Sequence, residues 1–324
     1  MADIARRAGV SRIAVSYAIN GRPGVSAPLR AEILAIARRM GYRVNGAALA
    51  LHGAAARAFG LVMARPSVAL TVEVFRRQLI AGIQAELSGR GFGLGLQFVG
   101  DQAEEMAVHR RWAAEQRVDG VLLIDPRLDD PRPAVLDELR LPYVVAGGTR
   151  DTNGVWLDDA ATMARITGLL TGTGHRRIAR VSGPAGLVHT AVRDAAFRRA
   201  RAEVTVVRGD YTGASGARLT RELLGRDRPP TAIVYDNDLM AIAGLGVAHE
   251  LGVAVPAELS VVAWEDSPLC RFVNPPLTAV DQDIAAFGAQ AARLLLRRLD
   301  GPAPGLGGPG AGLLVRRSTG PVPR

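Results

Sequence analysis

The first twenty residues carry the side chains whose chemistry is easiest to interpret. Two short helical patterns meet at Gly9, which can adopt the left-handed backbone that ends a helix, and at Ser11, whose hydroxyl can cap the next one. This pattern predicts a helix-turn-helix. The face of the second helix that points away from the first consists of Arg12, Ile13, Ser16 and Tyr17. In DNA-binding units of this kind such a face enters the major groove and reaches base edges, whereas an ordinary helical hairpin is the alternative.

The distribution of charge favours the DNA-binding interpretation. All 40 basic residues of the 324-residue chain are arginine, and the net charge is +9. Residues 1–57 contain nine arginines against Asp3 and Glu32, so this segment alone carries +7. Positive charge concentrated on a helix-turn-helix is typical of a unit that binds a phosphate backbone.

Membrane, disulfide and metal chemistry find little support in the sequence. No early run has the length of a membrane span or the order of a secretory signal, so a cytoplasmic location is expected. Cys270 is the single cysteine, and the five histidines lack the paired spacing of metal ligands. We therefore expect no metal and no cofactor.

Enzymatic motifs are weak as well. Ser182, His175 and Asp158 fall on separate predicted elements, without the Gly-x-Ser-x-Gly turn of a nucleophile. The glycines within 91–95 precede a strand rather than a helix, which does not fit a dinucleotide site. The sequence predicts a protein that is not an enzyme.

From Ala58 onward, strand patterns alternate with helix patterns. Apolar, β-branched runs separated by helices are typical of parallel, doubly wound sheets. The sequence predicts two such α/β regions, the second beginning with a strand over 155–157. Near the C terminus the Gly/Pro tract 301–312 is predicted to be a loop, and a last strand is predicted over 313–317.

Ordered motifs along essentially the whole chain resemble those of the lactose-repressor and galactose-repressor group of bacterial transcription regulators. The motifs that carry the resemblance are Ala8-Gly9-Val10-Ser11, Val15-Ser16, Asn20-Gly21, Gly24-Val25-Ser26, Gly41-Tyr42-Arg43, Gly174-His175-Arg176-Arg177-Ile178-Ala179, Asn237-Asp238-Leu239-Met240-Ala241, Leu259-Ser260-Val261-Val262 and Pro275-Pro276-Leu277-Thr278. Any one of them could arise by chance, but all of them in this order are specific.

The resemblance implies an α/β fold in three parts. A three-helix helix-turn-helix head spans residues 1–44, a hinge helix and linker span 45–57, and a two-lobed core similar to periplasmic sugar-binding proteins spans 58–324. The chain of such a core crosses between its lobes three times. The lobes are expected at about 58–154 with 282–305, and at about 155–281 with 311–324.

The resemblance also implies which residues contact DNA. Asn20 matches a position that contacts the DNA backbone, and Leu51 matches a hinge leucine that enters the minor groove and kinks the duplex. Ala48 matches the small residue beside that leucine, although burial of Leu51 against the core is the alternative. The residues predicted to bind DNA are Arg12, Ile13, Ser16, Tyr17, Asn20, Ser26, Asn45, Ala48 and Leu51.

A second set of residues is implied for a small ligand between the lobes. Arg193 and Asn237 match ligand-binding positions of the family, although a surface arginine and a helix N-cap are the alternatives. Glu265 stands where relatives carry Asp. Trp264 could stack on a sugar ring or belong to the core. The residues predicted for the ligand site are Arg193, Asn237, Glu265, Asp125, Gln282 and Trp264.

Together these features predict a sequence-specific DNA-binding regulator, a repressor controlled by a small ligand, with a sugar expected. Its predicted partners are double-stranded DNA with a pseudopalindromic operator, the sugar, and a second copy of the chain in a homodimer or higher assembly. No membrane partner is expected. The alternatives are a solute-binding module of a transport system and a DNA-binding protein without a ligand.

Overall fold

The computed structural model describes residues 1–19, 23–41, 55–64, 74–151 and 154–322. It divides into two compact units, residues 1–56 and residues 57–324, which we treat separately. The predicted DNA-contacting residues Asn20, Asn45, Ala48 and Leu51 lie outside the described residues, as does the predicted hinge helix.

The first unit contains the predicted helix-turn-helix. Its helices are α1 (Ala2–Ala8), α2 (Arg12–Ile19) and α3 (Ala27–Arg39). Gly9 ends α1 with a left-handed φ of 64°, and the Ser11 hydroxyl accepts a 3.1 Å hydrogen bond from the backbone N–H of Ala14. The three helices bury an apolar centre that includes Ile4, Val15 and Ile33. The predicted turn chemistry is therefore confirmed at both residues.

Ser26 ends a Gly/Pro loop and precedes a helical pattern, which predicts that its side chain caps α3. It directly precedes α3 at the N-cap position with an extended backbone, but its side chain makes no capping hydrogen bond. Ser26 therefore marks the start of α3 without stabilising it in the way that the sequence suggested.

The second unit is built from twelve described strands and the helices between them. The strands are β1 (Ala58–Ala64), β2 (Gly93–Val99), β3 (Gly120–Ile124), β4 (Tyr143–Ala146), β5 (Gly154–Trp156), β6 (Arg177–Ser182), β7 (Glu203–Arg208), β8 (Ala232–Tyr235), β9 (Ser260–Ala263), β10 (Thr278–Asp281), β11 (Leu306–Gly307) and β12 (Gly312–Leu314). The helices are α4 (Val74–Ser88), α5 (Gln102–Ala114), α6 (Arg132–Glu138), α7 (Asp159–Gly172), α8 (Val188–Phe197), α9 (Gly213–Leu224), α10 (Asp238–Glu250), α11 (Leu269–Phe272) and α12 (Ile284–Asp300). Among these described helices none is both long and apolar enough to span a membrane.

The strands form two six-stranded sheets with equivalent orders. The first lobe has the order β11-β5-β4-β3-β1-β2, and the second has β12-β10-β9-β8-β6-β7. All the neighbouring strands are parallel except β10 and β12. Strands such as β3, β8 and β9 are buried along their whole length, as expected for parallel sheets covered by helices on both faces.

The chain crosses between the lobes after β5, after β10 and after β11. The expectation that the second lobe begins at 155 is wrong, because β5 pairs with β4 in the first sheet and the crossing follows Trp156. A short apolar strand carries no signal of which sheet it completes, so the sequence could not decide this point. The last strand of the first lobe reaches Gly307, close to the expected bound of about 305.

The C-terminal segment also differs from its prediction. The Gly/Pro tract 301–312 is not simply a loop, because β11 lies within it and Gly308 N–H donates to Trp156 O at 2.7 Å. The last strand ends at Leu314 rather than 317. Beyond it Arg316 leaves the ladder, because its N–H donates to the Thr278 hydroxyl and its guanidinium pairs with Asp266.

Candidate ligand cleft and DNA-binding head

The two lobes enclose a cleft at the carboxyl ends of their strands. Its empty volume is about 820 Å³, a figure that includes space open to solvent. All six side chains predicted for the ligand site line this cleft, namely Asp125, Arg193, Asn237, Trp264, Glu265 and Gln282. Residues separated by more than 150 positions in the sequence are thus brought to one place by the parallel sheets.

Arg193 projects into the cleft from α8. It is 8% exposed, so it is not the surface arginine that the sequence left as an alternative. Its Nε lies 3.2 Å from Asp159 Oδ2, and its guanidinium carbon lies 3.9 Å from the centre of the Trp264 ring. Burial raises the pKa of Asp159, against the opposing effect of the Arg193 charge. Arg193 is thus fixed by a carboxylate and an aromatic face.

A buried ion network lies behind this wall, and the sequence analysis did not identify it. Arg180, in the middle of β6, is completely buried and donates to Asp236 Oδ1 at 2.7 Å and to Asp236 Oδ2 at 2.6 Å. It also contacts Asp194, which in turn contacts Arg208. Burial alone would raise the pKa of Asp236, but the charges of Arg180 and Arg193 lower it. The available signal was an arginine inside an otherwise apolar strand.

Asn237 lines the cleft and also caps a helix. Its Oδ1 accepts from Met240 N–H at 3.0 Å, which caps α10, and its Nδ2 donates to Tyr211 O at 2.8 Å. The N-cap that the sequence offered as an alternative is therefore present. The amide still has one lone pair and one hydrogen beyond these two bonds, so capping leaves it chemically able to contact a ligand.

Besides Arg193 Nε, which lies in ion-pair range of Asp159, two buried donors of cleft-lining residues have no hydrogen-bond partner among the described residues. They are the indole Nε1–H of Trp264 and the amide Nε2 of Gln282. Buried donors are normally paired, because leaving one unpaired costs about 1 to 3 kcal/mol. A ligand that offers oxygen acceptors at these positions would satisfy both.

The first lobe contributes an ion pair and the apolar part of the cleft. Asp125 directly follows β3 with a left-handed φ of 49°, and its carboxylate accepts from Arg76 Nη2 at 2.6 Å. The apolar side chains that line the cleft include Phe75, Leu79 and Phe287. This mixture of a few fixed polar groups with apolar surface is typical of small-molecule sites.

His189 and Tyr211 also line the cleft, and the sequence gave no signal for either. His189 Nε2 and Tyr211 Oη lie 2.8 Å apart, and burial together with the Asp236 charge raises the pKa of the phenol. The Tyr211 ring is packed where a side chain on Gly183 would sit, since a Cβ there would be 2.0 Å from Oη. Gly183 therefore makes room for Tyr211 in the wall.

A short backbone bridge joins the lobes beside the cleft. Leu128 N–H donates to Gly186 O at 2.8 Å, and Val188 N–H donates to Pro126 O at 2.9 Å. These two bonds flank an antiparallel bridge between Arg127 and Leu187. We call this pairing of 126–128 with 186–188 the interlobe clasp. Because α8 begins at Val188, the clasp is continuous with the helix that carries Arg193.

In the head, the predicted DNA-contacting face of α2 points to solvent. Ile13 is 65% exposed and Tyr17 is 36% exposed, while Arg12 is exposed and Ser16 is half-buried. The opposite face buries Val15 and Ala18. A large aliphatic side chain exposed to this extent contributes nothing to the helical core, which is consistent with a surface reserved for contact.

Comparisons with known proteins match both units. The head matches the family model of bacterial regulatory proteins of the lacI family over residues 1–45, and residues 167–319 match a periplasmic binding protein-like domain. The HTH-type transcriptional regulator CelR of Thermobifida fusca is 35% identical over 313 residues, covering 92% of this chain and 91% of the relative. The chain belongs to the LacI family of bacterial regulatory proteins.

Solved structures agree with this assignment to the LacI family. A structure described as the transcriptional regulator CelR–cellobiose complex is 33% identical, covers 97% of this chain and 98% of its own, and has a TM-score of 0.74. The lac repressor dimer bound to operator and the anti-inducer ONPF is 26% identical, covers 98% of both chains, and has a TM-score of 0.84.

The protein is thus a LacI-family transcriptional regulator that binds DNA under the control of a ligand. Its similar proteins are regulators over both the head and the core, so the alternative of a solute-binding module is set aside. These relatives are described as a transcriptional regulator and a transcriptional repressor.

Proposed function

We propose that this LacI-family protein is a homodimeric repressor whose affinity for a pseudopalindromic operator is set by a sugar bound between the lobes of its core. Two heads related by two-fold symmetry match an operator whose half-sites share that symmetry. The similar CelR structure contains cellobiose, and the similar lac repressor is a dimer on its operator. Because chromosomal DNA is the target, the proposal places the protein in the cytoplasm.

The observation that carries the sugar proposal is the composition of the cleft. The unpaired donors of Trp264 and Gln282 require oxygen acceptors, and the Asn237 amide can both accept and donate. A sugar hydroxyl is an acceptor and a donor at once. The sugar's C–H face suits the apolar surface of Phe75 and Phe287.

The ligand half of the proposal is tested by titration calorimetry of the full chain against glucose, maltose and cellobiose. Gln282→Ala removes a donor that has no partner among the described residues, so it should weaken sugar binding by about 2- to 10-fold at little cost in stability. Arg193→Ala should weaken it by about 10- to 100-fold. Arg199→Ala, an exposed arginine just beyond the same helix, is the control. Equal effects of Arg193→Ala and Arg199→Ala would contradict the assignment of Arg193 to the site.

The DNA half is tested by selecting bound fragments from random duplexes, with and without the sugar. The proposal assigns base contacts to Arg12 and Ile13, with Ser16 and Tyr17 beside them on the same face of α2. Exchanging Arg12 and Ile13 for other residues should change the preferred operator sequence. Uniform weakening on all sequences would mean that these side chains contact only phosphates.

A further inference from the structure

The charges that line the cleft indicate which class of sugar it accepts. Among the described residues, its carboxylates outnumber its guanidinium groups by four to two. The carboxylates belong to Asp125, Asp159, Asp236 and Glu265, and the guanidinium groups belong to Arg76 and Arg193. Many sugars in cells are phosphate esters, so the sign of this imbalance matters for the choice of ligand.

Both guanidinium groups already have carboxylate partners. Arg76 Nη2 lies 2.6 Å from Asp125 Oδ2. Arg193 lies 3.2 Å from Asp159 Oδ2 through Nε and 3.9 Å from Asp236 Oδ2 through Nη1. The arginine behind the wall, Arg180, is fully buried and holds Asp236 with two hydrogen bonds. An anion entering the cleft would have to compete with a carboxylate for each of these cations.

This arrangement is unfavourable for a phosphate ester. A phosphate monoester carries a charge of about −1.5 to −2 near pH 7, and a buried anion needs both a cationic partner and hydrogen bonds. If it drew Arg193 away, it would leave the buried carboxylate of Asp159 without its partner. An uncharged sugar does not have to displace a carboxylate from Arg76 or from Arg193, because it can accept hydrogen bonds from the donors of Trp264 and Gln282.

We propose that the cleft selects uncharged sugars over their phosphate esters, because its carboxylates outnumber its guanidinium groups and because Arg193 is already paired with Asp159. The inference rests on the proposed function, since it assumes a sugar ligand. It narrows that function to sugars that carry no charge.

The test compares glucose, maltose and cellobiose with their 6-phosphate esters by titration calorimetry of the full chain. We expect at least one neutral sugar to bind and its ester to bind about 10-fold or more weakly. An ester that binds as tightly as the neutral sugar, or tighter, overturns the selectivity while leaving sugar control intact. Absence of binding by every sugar and every ester overturns the proposed function, and this inference with it.

A matched pair of variants tests the assignment to the ion pair. Asp159→Asn keeps the shape of the side chain but frees Arg193 from one carboxylate, so the disadvantage of the ester should shrink by about 3-fold or more. Asp158→Asn is the control, because Asp158 is exposed, lies outside the cleft, and caps α7 through Ala161 N–H, which Asn can also do. Equal shifts in both variants, or none in either, overturn the role of Arg193 and Asp159.

Glu265→Gln provides a second route if Asp159→Asn folds poorly. Glu265 lines the cleft from the residue after Trp264, and replacing it removes one negative charge without touching the Arg193–Asp159 pair. The ratio of ester to neutral-sugar affinity should rise in this variant too. A ratio that stays the same would show that the charge of the cleft does not govern selection.

Discussion

The two lobes of the core have equivalent sheets but differ in where their buried charges lie. In the first lobe β1 is apolar throughout, and helices α4 and α12 approach so closely that a Cβ on Gly82 would lie 1.9 Å from Ala285 O. In the second lobe the equivalent strand, β6, carries the buried Arg180 with its two aspartate partners. The first lobe also has a buried ion cluster, in which Arg132 of α6 contacts Glu105 and Asp130, but that cluster lies outside the sheet, whereas in the second lobe the buried charge lies on a strand of the sheet.

The two walls of the cleft, one from each lobe, also differ in chemical character. The second lobe supplies Arg193, Asn237 and Trp264, held by the ion network and by helix caps, so its polar groups are positioned before a ligand arrives. The first lobe supplies most of the apolar surface, from α4 and α12. We expect the second lobe to determine ligand orientation, and the first to determine how tightly the cleft closes.

The largest effect should come from the ion network. Arg180→Met removes the cation from between Asp236 and Asp194, so the second lobe should lose about 3 to 5 kcal/mol of stability. Thermal unfolding measures this loss. Arg176→Met, at an exposed arginine just before β6, should change stability by about 0.5 kcal/mol or less. Similar losses in the two variants would show that charge pairing does not hold this lobe together.

The same network should make the second lobe sensitive to acid. Arg180 lowers the pKa of Asp236, so the stabilisation is complete at neutral pH and is lost as pH falls through the folded-state value, below about 3.9. In Arg180→Met the buried carboxylate favours protonation, so the difference in stability between wild type and variant should narrow on acidification. Denaturant titrations at pH 7, at pH 4 and below pH 4 measure the free energy of unfolding of both proteins. A difference between them that stays constant with pH would contradict a charged network.

A smaller effect is expected from the contact between α4 and α12. Gly82→Ala places a methyl group against the backbone of Ala285, and overpacking of this kind costs about 1 to 3 kcal/mol. Gly168→Ala, inside α7 with nothing within 4 Å of the new Cβ, should instead stabilise by up to about 1 kcal/mol. A lower unfolding temperature for Gly82→Ala and a higher one for Gly168→Ala would confirm the steric argument. Shifts of the same sign in both variants would contradict it.

The smallest effect should come from the interlobe clasp. Val188→Pro removes one N–H that bonds Pro126 O, yet proline is well tolerated at the first position of a helix, and Leu187 already has the extended backbone it requires. We expect about 0.5 to 1.5 kcal/mol weaker ligand binding, with α8 intact. Val188→Ala keeps the N–H and is the control. Equal losses in calorimetry would place the effect in the side chain rather than in the clasp.

Much of this architecture was predictable because it depends on local patterns. Gly9 and Ser11 determine the turn of the head through backbone conformation and capping, and both effects act within a few residues. The alternation of apolar strands with helices likewise predicted both sheets. The six ligand-site candidates came from a family resemblance, and the structure gathers them in one cleft.

The remaining features depend on contacts between distant residues. Asp236 and Asp194 lie 42 residues apart, and only the fold brings both to Arg180. The place of β5 in the first sheet depends on which edge was open, which a three-residue strand does not encode. The clasp consists of backbone groups, which have no signature in the side chains.

The three segments that connect the lobes lie side by side. Gly308 N–H bonds Trp156 O, and Asp281 is paired with Gly312, so the three connections are tied side by side. Asp159 and Gln282 follow two of these connections closely in sequence and also line the cleft, so a ligand bound there would contact the segments that join the two lobes.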